Sequence, residues 1–145
     1  MNEEVKKEWI DRLRSGRYNQ TSGKLRREGG FCCLGVLCEI ARDKEIVTLE
    51  GDEIYSRYVT LNNRIDAEVA VPPESVVSFS DLGSQNPNIY FTPEEYQVLV
   101  DRGVSPEAFY ASAQGGSINY ITNLATLNDN GATFSLVAEV IEQKL

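Results

Sequence analysis

Histidine is missing from this 145-residue chain, and that absence removes more chemistry than any motif present supplies. Ser–His–Asp triads, Cys–His nucleophile pairs and histidine-ligated metal sites all need an imidazole. So does the commonest general base near neutral pH. Cysteine is sparse, with Cys32, Cys33 and Cys38 its only three positions. A zinc site usually needs four ligands in paired Cys or Cys/His spacing, so three thiols without histidine fall short, and no metal or cofactor is expected. An odd cysteine count without an export signal points to reduced thiols in a cytosolic compartment. Long hydrophobic runs are also lacking. No segment reaches the length of a membrane-spanning helix, and the opening "MNEEVKKEWI" is charged and amphipathic, unlike a secretory leader. Neither a Walker loop nor a G-x-G-x-x-G turn occurs.

What is present suits a globular protein: 41% hydrophobic and 25% charged residues, without low-complexity tracts. At this length one domain, residues 1–145, with a single core is expected. The net charge of −8 argues against direct binding of nucleic acid or of an anionic membrane. Its distribution is uneven. Arg12, Arg14, Arg17, Lys24, Arg26 and Arg27 fall in one stretch that has no acid, leaving 8 basic against 22 acidic residues elsewhere. That stretch either lies against the acidic surface of its own chain or presents a cationic site.

The pattern along the chain predicts an α+β fold, mainly helical, with five to six helices and a small β-hairpin or short antiparallel sheet. Val5, Trp9 and Leu13 with Ile10 mark an amphipathic helix over 3–14, stopped at Gly16. Residues 17–30 carry no apolar periodicity and read as a loop or irregular hairpin. Residues 31–42 are apolar almost all round, the mark of a buried helix. Gly35 in its middle costs about 1 kcal/mol relative to alanine, which implies close approach of a neighbouring backbone. Alternation at Tyr58, Thr60, Ala67, Val69 and Val71 predicts a hairpin around Asn62 and Asn63. Pro73 opens a short helix through Phe79. Thr92, Pro93, Glu95 and Gly103 frame a capped helix. Ser105 and Pro106 repeat the device, predicting a helix that ends at two glycines. A helix from Ile121 to the "NDNG" stop and a last one capped by Thr133 complete the chain.

Three constellations bear on chemistry. The cysteines fit a core role: Cys32 and Cys33 point about 100° apart on a helix, no base accompanies them, and free cysteine is among the most buried residue types. The carboxylates form no acid–base pair. Glu94 and Glu95 serve a helix start, Asp52 and Glu53 a solvated surface, and Glu142 with Lys144 lies on an amphipathic helix rather than a nuclease-type strand. The third case is "RREGGF", where Arg26, Arg27, Gly29 and Gly30 directly precede a helix. Free N–H groups at a helix start, glycines that admit an anion, and bidentate guanidinium donors make a phosphate pocket. Arg17, Tyr18, Gln20, Lys24, Arg26, Arg27 and Gly30 are its candidate residues, with Tyr18 as a stacking ring and Asn19 and Gln20 as base-reading amides. The alternative is that the glycines only turn the chain.

Trp9, Leu13, Ser15, Gly16, Tyr18, Gln20, Gly23 and Leu25, followed by "FCCLGVLC", a mid-chain "VPPE" and a terminal "LND.G..F…A..IE", resemble a recurrent family of small uncharacterised proteins of bacteriophages and prophages. Glu39 stands where aspartate is expected, and residues 48–70 follow no family pattern. The resemblance implies a phage setting, in the cytoplasm of a host cell, and no reaction. Combined with the cationic stretch it gives the leading expectation: a non-enzymatic accessory protein that binds a phosphate-bearing small molecule, such as a nucleotide signal of host defence. The rival is an acidic mimic of nucleic acid that blocks a host protein. An enzyme that works without histidine ranks third.

Overall fold

The computed structural model describes residues 1–54 and 56–145. Helix α1, Glu3–Arg14, starts where the Asn2 side chain accepts the Val5 N–H at 3.1 Å. It buries the anticipated stripe of Val5, Trp9, Ile10 and Leu13. The Trp9 indole N–H is buried, so it needs a partner, and it donates to the Cys33 carbonyl at 2.8 Å. That bond ties α1 to the central helix α2, Cys33–Asp43, of which eight residues are buried. Before α2, strands β1 (Arg26–Arg27) and β2 (Gly30–Phe31) form a minimal hairpin.

Gly35 of α2 meets the backbone of Leu25: a Cβ there would stand 1.9 Å from the Leu25 carbonyl oxygen. The expectation of a close approach holds, and the partner is the chain that leads into β1.

A first three-stranded antiparallel sheet follows, ordered β3 (Val47–Gly51), β4 (Ser56–Thr60), β5 (Asn63–Glu68). Helix α3, Glu74–Ser80, has no cap from its own Pro73. Asp66 of β5 supplies it, accepting the Glu74 and Ser75 N–H groups at 2.9 and 3.0 Å. Strand β6, Asn88–Phe91, leads to helix α4, Pro93–Asp101, whose Thr92–Glu95 capping box forms as the sequence predicts. Next come a short 3₁₀ turn, Pro106–Ala108, and strands β7 (Tyr110–Gln114) and β8 (Ser117–Asn123). These complete a second antiparallel sheet in the order β6-β8-β7. Helices α5, Leu124–Asp129, and α6, Phe134–Lys144, close the chain, with α6 packed on α1.

The fold is α+β, but it is not mainly helical. Among the described residues six α-helices stand beside eight strands in three small antiparallel sheets, 41% helix against 26% strand. The error has a local cause. Ser105 and Pro106 start only one 3₁₀ turn, because Phe109 is already extended (φ −120°, ψ 151°). Gly115 and Gly116, read as a helix stop, both have positive φ (57° and 83°) and make the two-residue turn of the β7–β8 hairpin. Ile121 likewise belongs to β8, and Asn123 caps α5 by accepting the Thr126 N–H at 2.8 Å.

No described helix is long and apolar enough to cross a membrane.

Candidate functional site

The arginines do not converge. In the β1–β2 hairpin Arg26 stands opposite Phe31 and Arg27 opposite Gly30, with Glu28 and Gly29 (φ 51° and 79°) as the turn. Successive strand residues point to opposite faces, so the two guanidinium groups part. Arg26 lies over the Phe31 ring, 5.7 Å from its centroid, and its Nε is buried without a hydrogen-bond partner. The aromatic face supplies part of the stabilisation that a hydrogen bond would otherwise give. Gly30 cradles no anion. It is a buried strand residue pressed against Thr21 and the Asn19 carbonyl, 3.1 and 3.2 Å from where a Cβ would be.

The start of α2 is filled by the protein's own atoms. Cys32 Sγ accepts the Gly35 N–H at 3.4 Å, and Asn128 Oδ1 accepts the Cys33 N–H at 3.1 Å. Two of the free donors that motivate a phosphate cradle there are therefore satisfied internally.

The rest of the cationic stretch divides in the same way. Arg12 pairs with Asp43 at 2.7 Å and Glu8 at 3.4 Å, and also donates to the Tyr18 hydroxyl at 3.1 Å. Arg14 pairs with Glu142 at 3.1 Å. The Arg17 guanidinium lies 5.8 Å from the Tyr18 ring, and that ring meets Phe31 edge-on at 5.3 Å. Tyr18 is thus a packing residue between α1 and β2 rather than a free stacking platform. Lys24 is half-buried beside Leu25.

Gln20 leads to the site that does form. Its amide donates to Asn128 Oδ1 at 2.9 Å and to the Ala132 carbonyl at 2.8 Å. Asn128, buried on α5, in turn donates to the Thr21 carbonyl at 2.8 Å and to Asp129 Oδ1 at 3.0 Å. Asp129 Oδ1 also accepts the Gly23 N–H at 3.1 Å. The buried Asn128 amide, with the neighbouring Asp129 carboxylate, therefore ties residues 20–23, the start of α2 and the α5–α6 corner together. The corner is tight: a Cβ at Gly131, where φ is 104°, would fall 2.4 Å from the Gly103 carbonyl oxygen.

Around this hub lies an open depression of about 400 Å³, lined by Gln20, Thr21, Ser22, Arg27, Asn128, Gly131, Ala132 and Thr133. Arg27 is the one charged residue of that lining, and no carboxylate is part of it. Thr133 is the N-cap of α6, accepting the Leu136 N–H at 3.2 Å. The positive end of an eleven-residue helix thus opens on the same hollow. Gln20 and Arg27 are the two sequence-predicted residues that meet here. Arg17, Tyr18, Lys24, Arg26 and Gly30 lie outside the lining. Thr21, Ser22, Asn128, Gly131, Ala132 and Thr133 are additions, and the terminal "LND.G" pattern is the signal for two of them.

The cysteines offer no reactive centre. All three are buried. Burial pushes the Cys32 thiol up to about 11, against weaker help from the Gly35 and Leu34 amides. Burial raises Cys33 and Cys38 as well. Among the described residues no group of three acidic or thiol side chains could hold a metal ion. A lone arginine, a helix start and neutral hydroxyls and amides can bind and orient an anion, but they contain no proton-transfer pair.

This architecture is a small α+β domain in which a central buried helix packs against α1, α3, α5 and strand β3. The second three-stranded sheet packs against α4 and α5, and a hydrogen-bonded polar corner joins α5 to α6. The chain belongs to a family described as a domain of unknown function, DUF8296, whose model matches residues 1–145. No curated protein and no solved structure matches it.

Proposed function

We propose that this chain is a non-enzymatic binding protein that holds a phosphate-bearing small molecule in the depression between Arg27 and the start of α6. One observation carries the reading: the lining contains a single charge, the Arg27 guanidinium, and no carboxylate to neutralise it. Arg27 is exposed and engages in no ion pair among the described residues. On a chain of net charge −8 such an unopposed cation is notable, and a helix start beside it adds partial positive charge. A hollow of about 400 Å³ also falls within the usual range of small-molecule sites, about 300–1,000 Å³. The resemblance to small phage and prophage proteins supports a setting in host cytoplasm, where nucleotide signals of host defence have this chemistry.

Titration calorimetry at low salt tests the proposal, with inorganic phosphate and a panel of linear and cyclic nucleotides. Arg27→Ala should weaken the bound member by about tenfold or more, the scale of a charge-assisted contact. Arg26→Ala, where the arginine faces Phe31 instead, should leave affinity unchanged. No heat from any member, or equal binding by Arg27→Ala, refutes it.

A further inference from the structure

Strands β6, β7 and β8 contain no charged residue, on a chain that carries 36 of them. Their register fixes which side chains stand together, because directly opposed residues share a face. Tyr90 and Tyr110 both lie opposite Ile121, one on each side of the central strand. Ser112 lies opposite Asn119 two residues further along, on the same face. The reverse face is covered around Phe91 and Tyr120, where Tyr96 of α4 stacks on Tyr120 at 3.9 Å and Phe109 meets Phe91 edge-on at 5.9 Å. It opens to solvent further along, at Ala111, Ala113 and Ile118. On the outer face the tyrosines are open, while Ser112 and Asn119 are half-buried. Tyr90 and Tyr110 are 56% and 58% exposed, while Ile121 between them is 6% exposed and stands apart from the main core cluster.

The result is an open platform: two tyrosine rings on either side of a covered isoleucine, extended by amide and hydroxyl groups. With strands about 4.8 Å apart and about 3.4 Å per residue, it spans roughly 250 Å². A standard protein interface takes about 800 Å² from each partner, so the face is too small for a stable protein pair. Lacking a cation, it has nothing to hold a phosphate backbone, and the net charge of the chain repels other anionic polymers. A neutral sugar chain matches what remains. Its C–H faces suit the flat apolar rings, and its hydroxyl edges suit amides and hydroxyls, which both donate and accept.

We infer that the outer face of this sheet, centred on Tyr90, Ile121 and Tyr110, is a binding surface for a neutral oligosaccharide. The surface is separate from the depression at Arg27 and shares no lining residue with it. The test is titration of the full chain with maltohexaose, cellohexaose and chitohexaose, followed by amide chemical shifts. One of these sugars should move resonances of Tyr90, Tyr110, Ile121 and their strand neighbours and leave the Arg27 region still. Tyr90→Ala and Tyr110→Ala should each weaken it about tenfold, the ~1.4 kcal/mol scale of one aromatic contact. Spectra unchanged away from the sheet will show that these variants fold. The inference is overturned if none of the three sugars shifts the sheet, or if both variants bind as the parent does. Sedimentation that reveals a tyrosine-dependent dimer would also overturn it, since the face would then be a contact between copies of the chain.

Discussion

Asn128→Ala removes the hub of the polar corner, and its cost follows from the partners left behind. Four contacts disappear: the Cys33 N–H, the Gln20 amide, the Thr21 carbonyl and Asp129. They are not equal. Gln20 keeps the Ala132 carbonyl, and Asp129 is exposed and keeps the Gly23 N–H. The Cys33 N–H is buried at a helix start with no other acceptor recorded, and an abandoned buried donor costs about 1–3 kcal/mol. Adding the loss at Thr21 and a small void gives a total of about 2–4 kcal/mol. For a domain of this size the melting temperature falls by about 3 °C per kcal/mol. Urea unfolding followed by the fluorescence of Trp9, the one tryptophan and fully buried, measures the change directly. Asn128→Asp sharpens the test. It keeps an acceptor for Cys33 and Gln20 but turns both donors into a carboxylate oxygen facing Asp129 and a carbonyl. Like-charge contact raises its folded pKa, so its deficit relative to the parent should shrink as pH falls through that value. If Asn128→Ala unfolds within about 0.5 kcal/mol of the parent, the corner is not a structural hub.

The remaining predictions concern the scaffold. Gly35→Ala gains about 1 kcal/mol of helix propensity yet must displace the Leu25 carbonyl from 1.9 Å, so a net loss of about 2 kcal/mol or more is expected in the same unfolding assay; stabilisation refutes the close approach. Asp66 is a second test, in pH. Burial works against its charge, but hydrogen bonds from the Thr60 hydroxyl and the Ser75 and Glu74 amides outweigh this and hold its carboxyl below the usual range. A depressed folded pKa means its contribution is complete above the unfolded value, about 3.9, and is lost as pH falls through the lower folded one. Asp66→Asn should therefore be less stable at pH 7 by about 1 kcal/mol and lose less than the parent between about pH 5 and pH 2; identical acid profiles rule the role out.

The helices with strong local grammar were legible from sequence. The stripe of α1, the all-round apolar α2 and the Thr92–Glu95 box each declare themselves within one or two turns, and all three form. Ser105 and Pro106 look like the start of a helix through β7, and Ile121 with Leu124 looks like the start of another in β8, while cross-strand pairing and the Gly115–Gly116 turn decide for strands. The candidate site suffered from the same limit. Two arginines adjacent in sequence suggest a pair of donors, yet pairing as a strand sends them to opposite faces. The acceptor that fills the start of α2 comes from Asn128, 95 residues away, and no local pattern announces such a partner. Gln20 and Arg27 reach the depression, but its other wall is built by the α5–α6 corner.

The three sealed thiols give the protein an internal clock. They ride on the start and middle of α2, the helix that α1, α3 and α5 enclose, so fraying at the chain termini or at the distant hairpin turns leaves them covered. An alkylating reagent can reach Cys33 and Cys38, which have no exposed surface, only when the packing around α2 opens, so their modification reports opening of the core. The same arrangement leaves an intact molecule indifferent to passing oxidants, while any copy that loses its fold becomes vulnerable at three sites together.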